Sequence, residues 1–172
     1  MRLHFLSLFN GVSAFLSQRW ESNEALDLFA DAAAGIGFGA YFKGKWIQGR
    51  WPRDILLHPP LIEILEIFPI LMALLSWAPL MANRKITLHT DNLAVVHIVN
   101  KQSSPCRRIM HLLRLLVLQC LKHNVCFRAV HVPVVFNDIA DSLSRFQMSR
   151  FRSLAPQADP IATPLPPLPQ VW

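Results

Sequence analysis

The sequence predicts an α/β fold: a five-stranded mixed sheet, made of a three-strand antiparallel meander plus two parallel strands, with helices on both faces. Three observations predict it. Residues 26–51 read as consecutive strand-like segments separated by short turn signals, and residues 61–146 alternate helix-period with strand-period segments. A meander followed by crossover units makes a mixed, helix-covered sheet. With 52% hydrophobic and 16% charged residues over 172 positions, the chain can build a real core and suits one domain, with little length left for linkers.

Taken in order, residues 1–25 show no clear period and form a lead-in. LDLFADA (26–32), GIGFGAYF (35–42) and KWIQGRW (45–51) are strands, with Lys43-Gly44 as a hairpin turn between the second and third. No Gly-Lys-Ser/Thr and no helix start follow Gly35, Gly37 and Gly39, so these glycines are expected to let backbones approach closely rather than cradle a phosphate. His58-Pro59-Pro60 breaks the chain before an apolar helix over 61–80, in which Pro69 implies a kink or a late start. KITLHTD (85–91) is an alternating strand with Ile86, Leu88 and Thr90 on one face. Asn92–Lys101 is a helix, ended by Gln102-Ser103-Ser104-Pro105. Cys106–His123 is another, with Ile109, Leu112, Leu113, Leu116 and Cys120 at core spacing. VCFRAVHVP (125–133) is the last strand and Asn137–Phe146 the last helix. The domain is therefore expected over 26–150. Residues 151–172, proline-rich to the end of the chain, are expected to be an extended linker.

Charge is uneven. Residues 84–152 carry eleven Lys or Arg against Asp91, Asp138 and Asp141, within a chain of net charge +6. That balance suits a polyanion, nucleic acid before membrane. The apolar run 67–82 is too short for a membrane span and holds Pro69 and Pro79, so a buried core helix and no membrane partner are expected. The apolar stretch after Met1-Arg2 is interrupted by His4, Asn10 and Gly11 and lacks a small-x-small cleavage site, which argues against export. Cys106, Cys120 and Cys126 are an odd, scattered set, suited to reduced thiols inside the cell, in cytoplasm or nucleus. A zinc site from Cys120, His123, Cys126 and His131 would lack a Cys-x-x-Cys pair, and buried thiols are the simpler reading.

Only eleven residues are acidic, so their positions carry information. Asp31 closes the first strand and Asp91 the fourth; Glu66 lies early in the helix between them and Asp141 in the last helix. With the first and fourth strands adjacent, the two aspartates would sit side by side, and helices packed on the sheet could bring Glu66 and Asp141 to the same edge. Each alone has an ordinary explanation: Asp91 could cap the following helix, and Asp141 could be a solvated helix residue. Together they repel one another unless cations neutralise them, and a set of hard oxygens suits Mg²⁺ or Mn²⁺.

The motifs LFADA, ILEIFPILMAL, HTDNLAVVHIVNK and HVPVVFNDIADSLSR resemble, in succession, those of retroelement ribonuclease H domains. They are most similar to the DIRS-type, tyrosine-recombinase retrotransposons, whose polyprotein joins reverse transcriptase, ribonuclease H and recombinase. The resemblance runs from about Leu26 to Arg145. It implies a ribonuclease H-like fold that cuts the RNA strand of RNA–DNA hybrids by two-metal-ion catalysis, with two Mg²⁺ (or Mn²⁺) as cofactors. By motif, Asp31 would bridge both metals, Glu66 and Asp91 would serve the leaving-group side, and Asp141 would hold the water-activating metal. Glu66 is preferred to Glu63 because only Glu66 precedes Ile-Phe-Pro-Ile, and Asp141 to Asp138 because it lies in Ala-Asp-Ser-Leu-Ser-Arg. His131 matches the spacing of a histidine that aids product release, although it ends a strand. Lys101, Arg107, Arg108 and Arg114 would contact hybrid phosphates. Residues 1–25 resemble the end of the reverse transcriptase connection, and the tail the link to the recombinase. Leu93 and Asp31-Ala32-Ala33 depart from the usual residues without removing a ligand.

Two rivals remain. Integrase-type nucleases share the fold but lack a first-helix glutamate and end in Glu rather than Asp. The other is a catalytically decayed or domesticated remnant that binds nucleic acid without cutting.

Overall fold

A computed structural model describes residues 19–21, 23–51, 61–132 and 137–167. The export-like stretch at the start, most of the lead-in and the His58-Pro59-Pro60 breaker lie outside them. The chain runs α1 (Asn23–Leu26), β1 (Leu28–Ala33), β2 (Gly37–Phe42), β3 (Lys45–Arg50), α2 (Ile62–Trp77) and a 3-10 turn (Ala78–Met81). β4 (Lys85–Thr90), α3 (Leu93–Lys101), α4 (Arg107–Lys122), β5 (Cys126–His131), α5 (Asp138–Ser144) and α6 (Met148–Leu154) follow.

The strands form an antiparallel trio, β1-β2-β3, and a parallel pair, β4-β5. β1 lies beside β4, yet no ladder joins them among the described residues, so the expected continuous five-stranded sheet is corrected to two hydrogen-bonded groups. The other edge of β4 begins by pairing with the chain ahead of β1, where Glu21 N–H donates to Lys85 O at 2.8 Å. Asp27, at φ +51°, then redirects the backbone into β1. Lys43 and Gly44, at φ +47° and +87°, make the two-residue turn that the twist of a hairpin favours.

Alternation along the trio feeds two cores. Phe38, Ala40, Phe42 and Ile47 face a large core with α2 and α4, whereas Tyr41 and Trp46 face a smaller one with Leu143 of α5 and Phe151 of α6. α2 is the central element of the first. Its near-uniform hydrophobicity follows from burial on several sides, and 72% of its most apolar window is enclosed by protein. The helix is continuous through the buried Pro69, which excludes a late start. On α4 the buried residues are Ile109, Leu112, Leu113, Leu116 and Cys120, the same five picked out by spacing.

β2 is buried along its whole length because α2 covers one of its faces and α5 the other. Gly39 permits the approach of α5: a Cβ there would collide with Leu143 and stand 2.8 Å from the Ser144 amide nitrogen. Gly39→Ala is therefore expected to destabilise the protein by about 1–3 kcal/mol, as overpacking does. Urea unfolding measures it, and an unmoved midpoint would contradict this packing.

The domain does not stop at 150. α6 buries Phe151, and the chain after it crosses the β2–β3 hairpin, with Asp159 N–H on Gly44 O and Thr163 N–H on Trp46 O, both 2.8 Å. Trp46 Nε1 donates to Asp159 O, and Arg152 donates to the carbonyls of Ala158, Asp159 and Pro160. The expected extended linker from 151 is thus corrected: residues 151–154 complete α6, a turn follows, and backbone and side-chain hydrogen bonds that composition does not reveal fasten residues 155–163 to the sheet. At the outer side of β5, Asn100 forms a pair of 2.8 Å bonds with Ala129, its Nδ2 to the carbonyl and its Oδ1 from the amide.

Candidate active site

Four elements bring carboxylates to one end of the β1–β4 junction. Asp31 sits within β1 rather than at its end, because the strand runs on to Ala33; its partner across the ladder is Gly39. Its side chain is turned to α5, where Ser144 Oγ donates to Oδ2 at 2.6 Å and Asn137 Nδ2 approaches Oδ1 at 3.3 Å. Burial raises the Asp31 pKa, against the Ser144 hydrogen bond, and the charges of Asp141 and Asp91 raise it further. Glu66 comes from α2, on the opposite layer. Burial, then Asp31, then Asp91 push its carboxyl up to about 8.

Asp91 follows β4 directly. It is not the cap of α3: Asn92 is, its Oδ1 accepting from the amides of Ala94 at 2.9 Å and Val95 at 3.2 Å. The ordinary explanation for Asp91 is thereby taken by its neighbour. Asp141 is drawn to two arginines, Arg145 Nε and Arg150 Nη1, each at 2.7 Å. Partial burial works against its ionisation, but those hydrogen bonds and charges outweigh it and hold the carboxyl below the usual range. Arg150 also bonds Asp138 at 2.6 Å, so Asp138 is an outer partner of this network.

Glu66, Asp91 and His131 line one open cleft of about 450 Å³ with Ile62, Asn92, Leu93 and Ala94. Glu63 is not part of it. Leu93, 58% exposed, offers an apolar surface at the cleft. His131 is the exposed last residue of β5, its Nε2 3.1 Å from Asp91 O. The electrostatic coupling links Asp31 with Asp91 and Asp141, and Glu66 with Asp31 and Asp91. Convergence is looser: among the described residues no three His, Cys, Asp or Glu side chains meet as a metal-sized group. Two of the four carboxylates are turned to other partners, Asp31 to Ser144 and Asn137, and Asp141 to its arginines.

The basic residues are not gathered there. Lys101 ends α3, and Arg107, Arg108 and Arg114 belong to α4. The far end of α3 is roughly 13 Å from its start beside Asp91, at helical rise. Arg114 instead borders an apolar cleft with Met110, Leu113 and Leu118. Asn137 and Ser144 escaped the sequence reading, although both stand in the NDIADSLSR segment that pointed to Asp141. No family model matches this chain, and no curated protein matches it.

Proposed function

We propose that this protein hydrolyses the RNA strand of RNA–DNA hybrids, on a ribonuclease H-like fold, as the ribonuclease H part of a DIRS-type retrotransposon polyprotein. The observation that carries this reading is the negative charge gathered around Asp31 and Glu66: Asp141 and Asp91 raise the cost of ionising Asp31, and Asp31 and Asp91 raise that of Glu66. A carboxyl held near 8 beside two aspartates is an electrostatic conflict that divalent cations relieve. The donor set is all hard oxygen and fits two Mg²⁺ or Mn²⁺.

Asp31, Glu66, Asp91 and Asp141 would hold the ions, with Asp31 shared. Bound there, two such ions supply an activated water and stabilise the leaving oxygen of an in-line displacement. The chain's own residues do the rest. Asn92 fixes the corner that presents Asp91, and α5 fixes Asp31. His131, at the cleft, is placed to assist departure of the cut strand. Lys101, Arg107, Arg108 and Arg114 supply phosphate contacts that track the hybrid away from the cut, where its shape and RNA 2′-hydroxyls distinguish it from DNA. Reverse transcriptase and recombinase domains of the same polyprotein are the proposed partners, at an intracellular site and without a membrane role.

The test is incubation of purified protein with an end-labelled RNA–DNA hybrid, duplex DNA and single-stranded RNA, in Mg²⁺ or Mn²⁺ and in EDTA. Metal-dependent cutting of the hybrid's RNA strand alone is expected. No cutting of any substrate overturns the enzyme and, if the hybrid is still bound, favours the non-cutting remnant; cutting of DNA instead favours an integrase-type nuclease.

A further inference from the structure

We infer that Ser144 and Asn137 are positioning residues for Asp31, so that α5 sets both its own carboxylate and the one on β1. The inference rests on the two-metal reading of the site for its functional meaning. Its structural basis is independent.

A helical serine ordinarily turns its hydroxyl back to a carbonyl one turn earlier. Ser144 has that acceptor, Asp141 O at 2.9 Å, but Asp31 Oδ2 lies closer, at 2.6 Å, and a hydroxyl has one proton to give. The shorter contact to a carboxylate takes it. Ser144 is fully buried, so no water competes for that proton. From the other end of the helix, Asn137 Nδ2 is anchored on Ala30 O at 3.0 Å and reaches Asp31 Oδ1 at 3.3 Å. Each oxygen of Asp31 is thus held from the α5 side by one hydrogen bond, which uses one of its lone pairs. Gly39, the ladder partner of Asp31, is what brings the helix within this reach.

Two measurements on the full chain test this. The first is a double-mutant unfolding cycle in EDTA with Ser144→Ala, Asp31→Ala and the pair, since alanine at 31 leaves Ser144 no side-chain acceptor there. Non-additive shifts in the urea midpoint are expected, and additive shifts overturn the inference. The second is calorimetric titration with Mn²⁺ alone of the parent, Ser144→Ala, Ser144→Thr and the half-exposed Asn137→Ala, each checked for folding by circular dichroism. Removing a group that orients a ligand costs roughly ten- to a hundredfold in metal affinity, which is the loss expected for Ser144→Ala, with recovery in Ser144→Thr and a smaller loss in Asn137→Ala. Parental Mn²⁺ affinity in folded Ser144→Ala and Asn137→Ala overturns the positioning role. A parent that binds no Mn²⁺ removes the two-metal reading, and the unfolding cycle then decides by itself whether Ser144 holds Asp31.

Discussion

Asp91→Asn is expected to abolish hybrid cleavage, lowering the rate about a thousandfold, the equivalent of roughly 4 kcal/mol of transition-state stabilisation. The change keeps the volume and shape of the side chain and removes the charge a divalent cation needs. It leaves the local fold alone, because the cap of α3 belongs to Asn92 and the backbone of Asp91 continues to meet His131. Loss of cutting with an unchanged circular dichroism spectrum and melting temperature is therefore the informative result. A variant that cuts as fast as the parent would sink the site assignment, whatever the parent's own activity.

Glu66→Gln is expected to produce the largest change in stability, and the change depends on pH. In the folded protein the Glu66 carboxyl is pushed from 4.5 to about 8 by burial and by Asp31 and Asp91. Between those values the folded state keeps a proton that the unfolded chain has lost. The contribution of Glu66 to the stability of the metal-free protein therefore falls as pH rises from about 4.5 to about 8, and the loss is complete above that window. The full span is on the order of 5 kcal/mol, less where water relaxes around the group. Gln cannot ionise and removes that part of the fall. Urea unfolding in EDTA at pH 5 and pH 8.5 measures it: the parent should lose several kcal/mol relative to Glu66→Gln. Identical pH dependence in the two proteins would mean that Glu66 is not in conflict with its neighbours. Mg²⁺ acts with the opposite sign, since a cation favours the ionised form, so its stabilising effect on the parent should be greater at pH 8.5 than at pH 5.

The parts of this fold that could be read in the sequence are those decided by local pattern. The Lys43-Gly44 turn needs two residues at positive φ, and the inward face of α4 repeats at helical spacing; both are written in consecutive residues. The order of motifs separated Glu66 from Glu63, and Glu66 is the one that lines the cleft. What could not be read depends on partners distant in the chain. β4 meets the chain at Glu21, ahead of β1, and the backbone turns at Asp27, and neither residue carries a strand signal. α6 went unseen because seven residues beside a proline-rich tail have too little period to stand out, although Phe151 closes the smaller core. Ser144 and Asn137 look like ordinary polar helix-end residues until Asp31, more than a hundred positions earlier, is placed beside them.

Asn100 has a consequence of a different kind. A strand at the border of a sheet exposes unpaired amides and carbonyls, a template on which another chain can add and on which fibrils grow. At Ala129, in the middle of β5, the carboxamide of Asn100 already occupies both groups, as one residue of a sixth strand would. Growth by strand addition there would first have to displace a side chain tethered to a packed helix. In a chain more than half hydrophobic, that single carboxamide takes one docking point for an incoming strand out of use.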